Sequence, residues 1–257
     1  EHESILYTAR DGLEIEALIT LPKFGNAPYP TVIHPHGGPG SKDRDGFDPW
    51  VSYLSNKGYA VVRPNFRGST GYGYEFSQAQ MQSWGLAMQD DITDVTTHLI
   101  AQGIIDKSKV CIFGASYGGY AAMMATTKTP DLYSCAVSFA GVSDLRELAR
   151  NKRRFVGGDL VVEKQFGDSS KDLISRSPIS YVDNIKTPIL LMHGTEDRSV
   201  SVNQSRKFVE ELLAKNKVHK YVEFEYGDHY LSIAQNRSQF FAELDTFLTQ
   251  HLGSAER

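Results

Sequence analysis

Short apolar runs alternate along the chain with stretches in which apolar residues recur every three or four positions. The first runs, "ILYTA" at 5–9 and "LEIEALITLP" at 13–22, flank the turn residues Asp11 and Gly12 and predict an antiparallel pair. Further strands are predicted at "TVIH" (31–34), "YAVVRPN" (59–65), "KVCIF" (109–113), "CAVSFAG" (135–141), "PILLMHG" (188–194) and "YVEFEYG" (221–227). Between them, Ile92, Val95, Leu99 and Ile100 share one face of a helix from Asp90 to Gln102. Helical patterns also cover "YAAMMATT" at 120–127, Gln204 to Lys215 and Ser238 to Gln250. The later strands are continuously apolar, as a parallel sheet covered on both faces requires. The pattern predicts an α/β fold: a mostly parallel central sheet with helices on both faces and right-handed crossovers. From Asp144 to Pro178 the rhythm breaks, which predicts short helices and loops passing over the sheet edge.

Composition narrows the function without choosing it. At 257 residues, 40% hydrophobic and 23% charged, the chain can bury a sizeable core. No linker, repeat or composition break divides it, so one domain over residues 1–257 is expected. The net charge of -4 gives no basic field for nucleic acid or an anionic membrane. No apolar run reaches the roughly 20 residues that span a bilayer. Cys111 and Cys135 fall in strand-like runs and are expected to be buried free thiols. No Cys/His cluster has metal-ligand spacing, and no metal or cofactor is expected. The start, "EHESILYTAR", lacks a methionine and an apolar leader, so a processed chain or part of a longer one is expected, and a cytoplasmic location with it.

Chemistry enters at "FGASYGGY", residues 113–120. Gly114-Ala115-Ser116-Tyr117-Gly118 fits G-x-S-x-G, in which a strand turns abruptly into a helix and exposes a serine at the bend. Side chains two before and two after would collide, so glycine stands at both. A plain Gly-Ser turn is the alternative, but a strand before and a helix former after are the context a nucleophile needs. Serine requires a base, and the base a carboxylate that orients it, in chain order serine, acid, histidine. "LLMHGTEDRSV" carries Glu196 and Asp197 past a strand end, with Asp197 further into the loop. "FEYGDHYL" carries His229 past the next, with Asp228 a rival acid hampered by its adjacency to the base. One oxyanion donor is expected from the N–H of Tyr117, and a second from the "HPHGGPG" loop at 34–40.

"HGGPG", "RPNFRGSTGYG", "GASYGGYAA", "SFAGVSDL", "SPISYVDNIKTPILLMHGTEDRSV" and "GDHYL" together resemble the catalytic domain of the prolyl oligopeptidase family, particularly its acylaminoacyl-peptidase and dipeptidyl-aminopeptidase branches. The likeness runs from residue 31 to 230 in the family's order. It implies an α/β-hydrolase fold with Ser116 as nucleophile, Asp197 as orienting acid and His229 as base. It implies an oxyanion hole from the N–H groups of Gly38 and Tyr117. Some branches use a tyrosine hydroxyl as second donor; the matching position is His36, so the backbone must serve. Val200 matches a position lining the pocket for the residue before the cleaved bond, with Phe139, Phe155 and Val156 as further candidates for its apolar wall. The implied substrates are short peptides, with small acyl esters as the alternative, and family habit makes a homo-oligomer an expectation. Members usually carry an N-terminal β-propeller; the residues before Thr31 suffice only for two edge strands.

Two stretches remain. Gly68, Gly71 and Gly73 in "FRGSTGYGYEF" mimic a phosphate loop but lack Gly-Lys-Ser/Thr, and no helix pattern follows at once; Arg67 is expected to bond a nearby carboxylate or backbone. "RNKRR" at 150–154 reads as a solvated face, the alternative being an arginine that contacts a substrate carboxylate.

Overall fold

The apolar runs pair into one eight-stranded sheet. The structure, a computed structural model, describes residues 2–253. Its strands are β1 (His2–Thr8), β2 (Glu14–Thr20), β3 (Tyr29–Ile33), β4 (Ala60–Pro64), β5 (Ile105–Ala115), β6 (Cys135–Phe139), β7 (Ile189–Gly194) and β8 (His219–Phe224), ordered β1-β2-β4-β3-β5-β6-β7-β8. β2 pairs antiparallel with β1 and with β4, and every other neighbouring pair is parallel. This is the mostly parallel α/β sheet the pattern predicts, in the α/β-hydrolase arrangement the resemblance implies.

The inner strands are apolar throughout because both faces are covered. Ile112, Ile189 and Leu191 join one core with α3 (Ala87–Ala101), α4 (Tyr117–Lys128) and α8 (Asn203–Ala214). Their neighbours Cys111, Phe113, Leu190 and Met192 join the opposite core with α1 (Pro49–Asn56) and α9 (Ala234–Leu252). Each such buried side chain stabilises the fold by about 1.5–3 kcal/mol. Cys111 and Cys135 stand opposite each other in the β5–β6 register, both facing the α1/α9 core, and form a disulfide across a Cα separation of 4.6 Å. The expectation of free thiols is corrected: direct cross-strand pairing on one face puts two sulfurs together.

Helix α1 was not evident from periodicity, yet its start is written in "DPW". Asp48 Oδ1 accepts from the N–H groups of Trp50 and Val51 at 2.8 and 2.9 Å, and Pro49 fills the first turn. A second difference lies after the glycine loop, where α2 (Tyr74–Gln78) begins directly beyond Gly73 although no helical pattern marks it. Arg67 does meet carboxylates, Asp91 at 2.7 Å and Asp11 at 2.6 Å, and these hold its guanidinium more firmly protonated. Over the C-terminal end of the sheet, residues 144–178 form three short helices: α5 (Leu145–Lys152), α6 (Gly158–Phe166) and α7 (Ser170–Ser175). Among the described residues, no helix is long and apolar enough to cross a membrane.

The sheet order fixes where a site can form. From β3 the chain crosses to β4 on one side, and β5 lies on the other, so the order reverses between β3 and β5. Loops leaving the carboxyl ends of strands at such a point splay apart and leave a crevice.

Candidate active site

β5 ends at Ala115 and α4 begins at Tyr117, leaving Ser116 alone at the bend with φ 57° and ψ -118°. A non-glycine residue with positive φ stores about 1–3 kcal/mol, which the surroundings must hold. They do so by close approach. A Cβ on Gly114 would lie 2.4 Å from the Gly118 carbonyl, and one on Gly118 would lie 2.2 Å from the Pro35 carbonyl oxygen. The second glycine is thus required by the loop after β3 as much as by the bend itself. Ser116 N–H donates to the Phe139 carbonyl at 2.9 Å, tying the bend to β6.

The acid and base loops are laced together before their side chains meet. A Cβ on Gly194 would lie 2.2 Å from the Gly227 carbonyl oxygen, Thr195 N–H donates to Phe224, and Glu196 N–H donates to Gly227. Asp197 wraps its own loop: Oδ1 accepts from the N–H groups of Ser199 and Val200 at 2.8 and 2.9 Å. Its Oδ2 accepts from His229 Nδ1–H at 2.6 Å. The carboxylate can only accept, so that nitrogen carries the proton. Burial pushes the Asp197 carboxyl up, but hydrogen bonds from His193, His229 and the Val200 N–H outweigh it and hold the group well below the usual carboxylate range. Glu196, the neighbour, is exposed. Asp228 accepts from the N–H groups of Tyr230 and Ser232 and serves the turn. Of the three acids, the structure brings only Asp197 to His229.

His193 escaped sequence reading. It is fully buried, accepts from the Ser205 hydroxyl at Nδ1 (2.7 Å), donates from Nε2 to the Val200 carbonyl (3.0 Å) and lies 3.3 Å from Asp197 Oδ2. Its place just before the acid loop in "MHGTED" is the one available signal.

Across the crevice the loop after β3 lies against the serine: a Cβ on Gly37 would sit 3.5 Å from Ser116 Cβ. Gly38 follows with φ 120°, and its N–H has no partner among the described residues. Tyr117 opens α4, where N–H groups lack an intrahelical acceptor. His36 is stacked on Phe66 at 4.4 Å, donates from Nδ1 to the Gly37 carbonyl at 2.8 Å, and holds Nε2 2.9 Å from the Ser69 hydroxyl. Burial pushes its imidazole down to about 4.

Ser116, His229, Gly38 and Tyr117 border one cavity of about 540 Å³. Ser116 and His229 face it without a hydrogen bond between them, and the second ring nitrogen of His229 has no partner among the described residues. Val200 and Phe139 line the cavity, joined by Trp50, Trp84, Val142 and Leu148. Phe139 also packs edge-on against Phe240 at 5.4 Å, so it is shared with the sheet core. Phe155 and Val156 are corrected: Phe155 borders a neighbouring depression and Val156 is fully exposed. Both sit in the turn between α5 and α6, where bonds from the Phe155 N–H to Lys152 and from the Gly158 N–H to Phe155 close the backbone and turn these side chains away from the cavity. The two tryptophans were missed, although they are the only two in the chain.

A model of the prolyl oligopeptidase family matches residues 46–255. Dipeptidyl aminopeptidase BIII of Pseudoxanthomonas mexicana is 35% identical over 95% of this chain and 38% of its own length. The acylamino-acid-releasing enzyme of Homo sapiens is 28% identical over 99% of this chain and 36% of its own. The chain therefore spans less than two fifths of either relative. Among solved structures, a puromycin-hydrolysing peptidase of Mycobacterium tuberculosis superposes with a TM-score of 0.92 at 26% identity, covering 100% of this chain and 40% of that one.

Proposed function

Because the chain belongs to the prolyl oligopeptidase family of serine peptidases, we propose that it hydrolyses peptide bonds of short peptides at Ser116, with His229 as base and Asp197 as orienting acid. The observation that carries this reading is the 2.6 Å bond from His229 to the enclosed Asp197, on a ring that borders the same cavity as Ser116 and whose other nitrogen has no partner among the described residues. Hydroxyl–imidazole contacts of this kind often tighten only when substrate arrives. Ser116 Oγ attacks the scissile carbonyl carbon while His229 takes the hydroxyl proton. The oxyanion is held by the N–H groups of Gly38 and Tyr117. As the carbon–nitrogen bond breaks, His229 gives that proton to the leaving amine. Water then attacks the acyl-enzyme, His229 accepts its proton and returns it to Ser116 Oγ, and the acid product departs. Each oxyanion donor is worth about 2.7–4 kcal/mol in comparable sites. The chain's likeness to a dipeptidyl aminopeptidase and an acylamino-acid-releasing enzyme supports short peptides as the substrate class.

Esters undergo the same acyl transfer more easily, so the test sets a p-nitrophenyl ester beside a peptide anilide. Both are expected to turn over, a fluorophosphonate probe is expected to label Ser116, and Ser116→Ala is expected to lower kcat on the order of 10⁶-fold. Brisk ester turnover with negligible anilide turnover would replace the peptidase by a carboxylesterase.

A further inference from the structure

Beside the Ser116 cavity lies a second depression of about 680 Å³ that shares Leu148, Lys152 and Ser199 with it. Its wall carries Arg150, Lys152, Arg154, Arg198 and Lys207 against two carboxylates, Glu147 and Asp197. Neither carboxylate is available to the others. Glu147 pairs with Lys207, and Asp197 is enclosed by His229 and its own loop. Arg150, Lys152, Arg154 and Arg198 have no acidic partner among the described residues. The rest of the same basic segment behaves differently. Arg146 pairs with Asp144, and Arg153 with Asp159 and Asp168, and neither arginine lines the depression. Arg146 and Arg153, which do not line the depression, are neutralised; Arg150, Lys152, Arg154 and Arg198, which do, are not.

This concentration of one sign stands out on a chain whose net charge is -4. Like charges gathered on a concave wall repel one another and focus a positive field into the space between them. An anion entering that space would relieve the repulsion. The shared walls place such an anion within reach of anything held at Ser116. We propose that this depression binds a carboxylate of the peptide substrate and so gives the site a preference for acidic peptides. The inference rests on the peptidase reading of Ser116. Two sources of the same chemistry fit, an acidic side chain beside the cleaved bond or the peptide's own C-terminus.

The test is calorimetric binding to the full Ser116→Ala chain, which keeps it apart from turnover. The probes are four peptides built on one phenylalanine, with Glu or Gln beside it and a free or amidated C-terminus. A carboxylate-bearing peptide is expected to bind about tenfold more tightly than its neutral counterpart, with an advantage that fades as salt is added. Whether the Glu/Gln arm or the acid/amide arm shows the advantage identifies the source. Adding Arg150→Glu and Arg154→Glu is expected to shrink it to within about twofold while leaving the neutral peptide's affinity unchanged. Arg150→Gln with Arg154→Gln, a milder change, should act in the same direction. Equal affinity across all four peptides, absence of binding included, overturns the proposal. So does a preference that survives charge reversal. Binding preference without any hydrolysis by the wild-type chain would sink the peptidase reading and leave the carboxylate site standing.

Discussion

The two flanks of the cavity are built in opposite ways. On the sheet side, Ser116, Asp197 and His229 stand on loops that approach one another so closely that added Cβ atoms would overlap backbone, and Asp197 is enclosed. On the other side, α5 to α7 carry exposed apolar side chains such as Phe155, Val156 and Leu160, and their charges are partly unpaired. The sheet flank is fixed at its backbone: close glycine approaches and loop hydrogen bonds set where Ser116 and the acid loop stand. The helical flank buries one face of its helices and leaves the other side, with Phe155, Val156 and Leu160, exposed and free to vary. Chemistry needs the first kind of support and selectivity can be written on the second, because loops on a rigid scaffold vary without disturbing it.

The strongest way to break this contrast is at the acid. Asp197→Asn should lower kcat by about 10⁴-fold, because an amide there favours the wrong imidazole tautomer. Asp228→Asn, which alters a turn, should stay within about tenfold of wild type. Comparable losses in the two variants, measured on one peptide anilide, would remove Asp197 from its role. Next comes the buried imidazole of His36. Its folded-state value of about 4 lies below the ordinary 6.5, so between these values the unfolded chain binds a proton that the folded one refuses. Stability should therefore fall as pH falls through that window, by about 3 kcal/mol. Urea unfolding at both ends of the window, with His36→Gln as control, checks this, and an equal loss in the control would refute the assignment. The smallest effects belong to the helical flank. Phe155→Ser and Val156→Ser should each change stability by under about 0.5 kcal/mol, and a larger change in thermal denaturation would show that this flank is less tolerant than its exposure implies.

Much of the sheet flank was legible in the sequence because its constraints are local. G-x-S-x-G needs only a strand, a bend and a helix in succession, and Asp197 and His229 each follow an apolar run directly. What stayed hidden depends on distant partners. Trp84 reaches the cavity from a loop with no periodic pattern, and His193 differs from other strand residues only through Ser205 and Val200. The apolar run in "YVEFEYG" predicts strand to its end. Gly227 N–H instead bonds back to Phe224, and Tyr226 turns with φ 56°, which ends β8 early and starts the His229 loop. Phe155 and Val156 fail for the converse reason: the family resemblance offers them as pocket wall, and only the turn between α5 and α6 decides which way they face.

Trp50 and Trp84 are the chain's whole complement of indoles, and both stand on the wall that a bound molecule would touch. Selectively excited fluorescence would therefore come from this cavity alone, with no background emission from elsewhere in the chain. Occupancy can be followed by colour and brightness, without attaching a dye or waiting for a product.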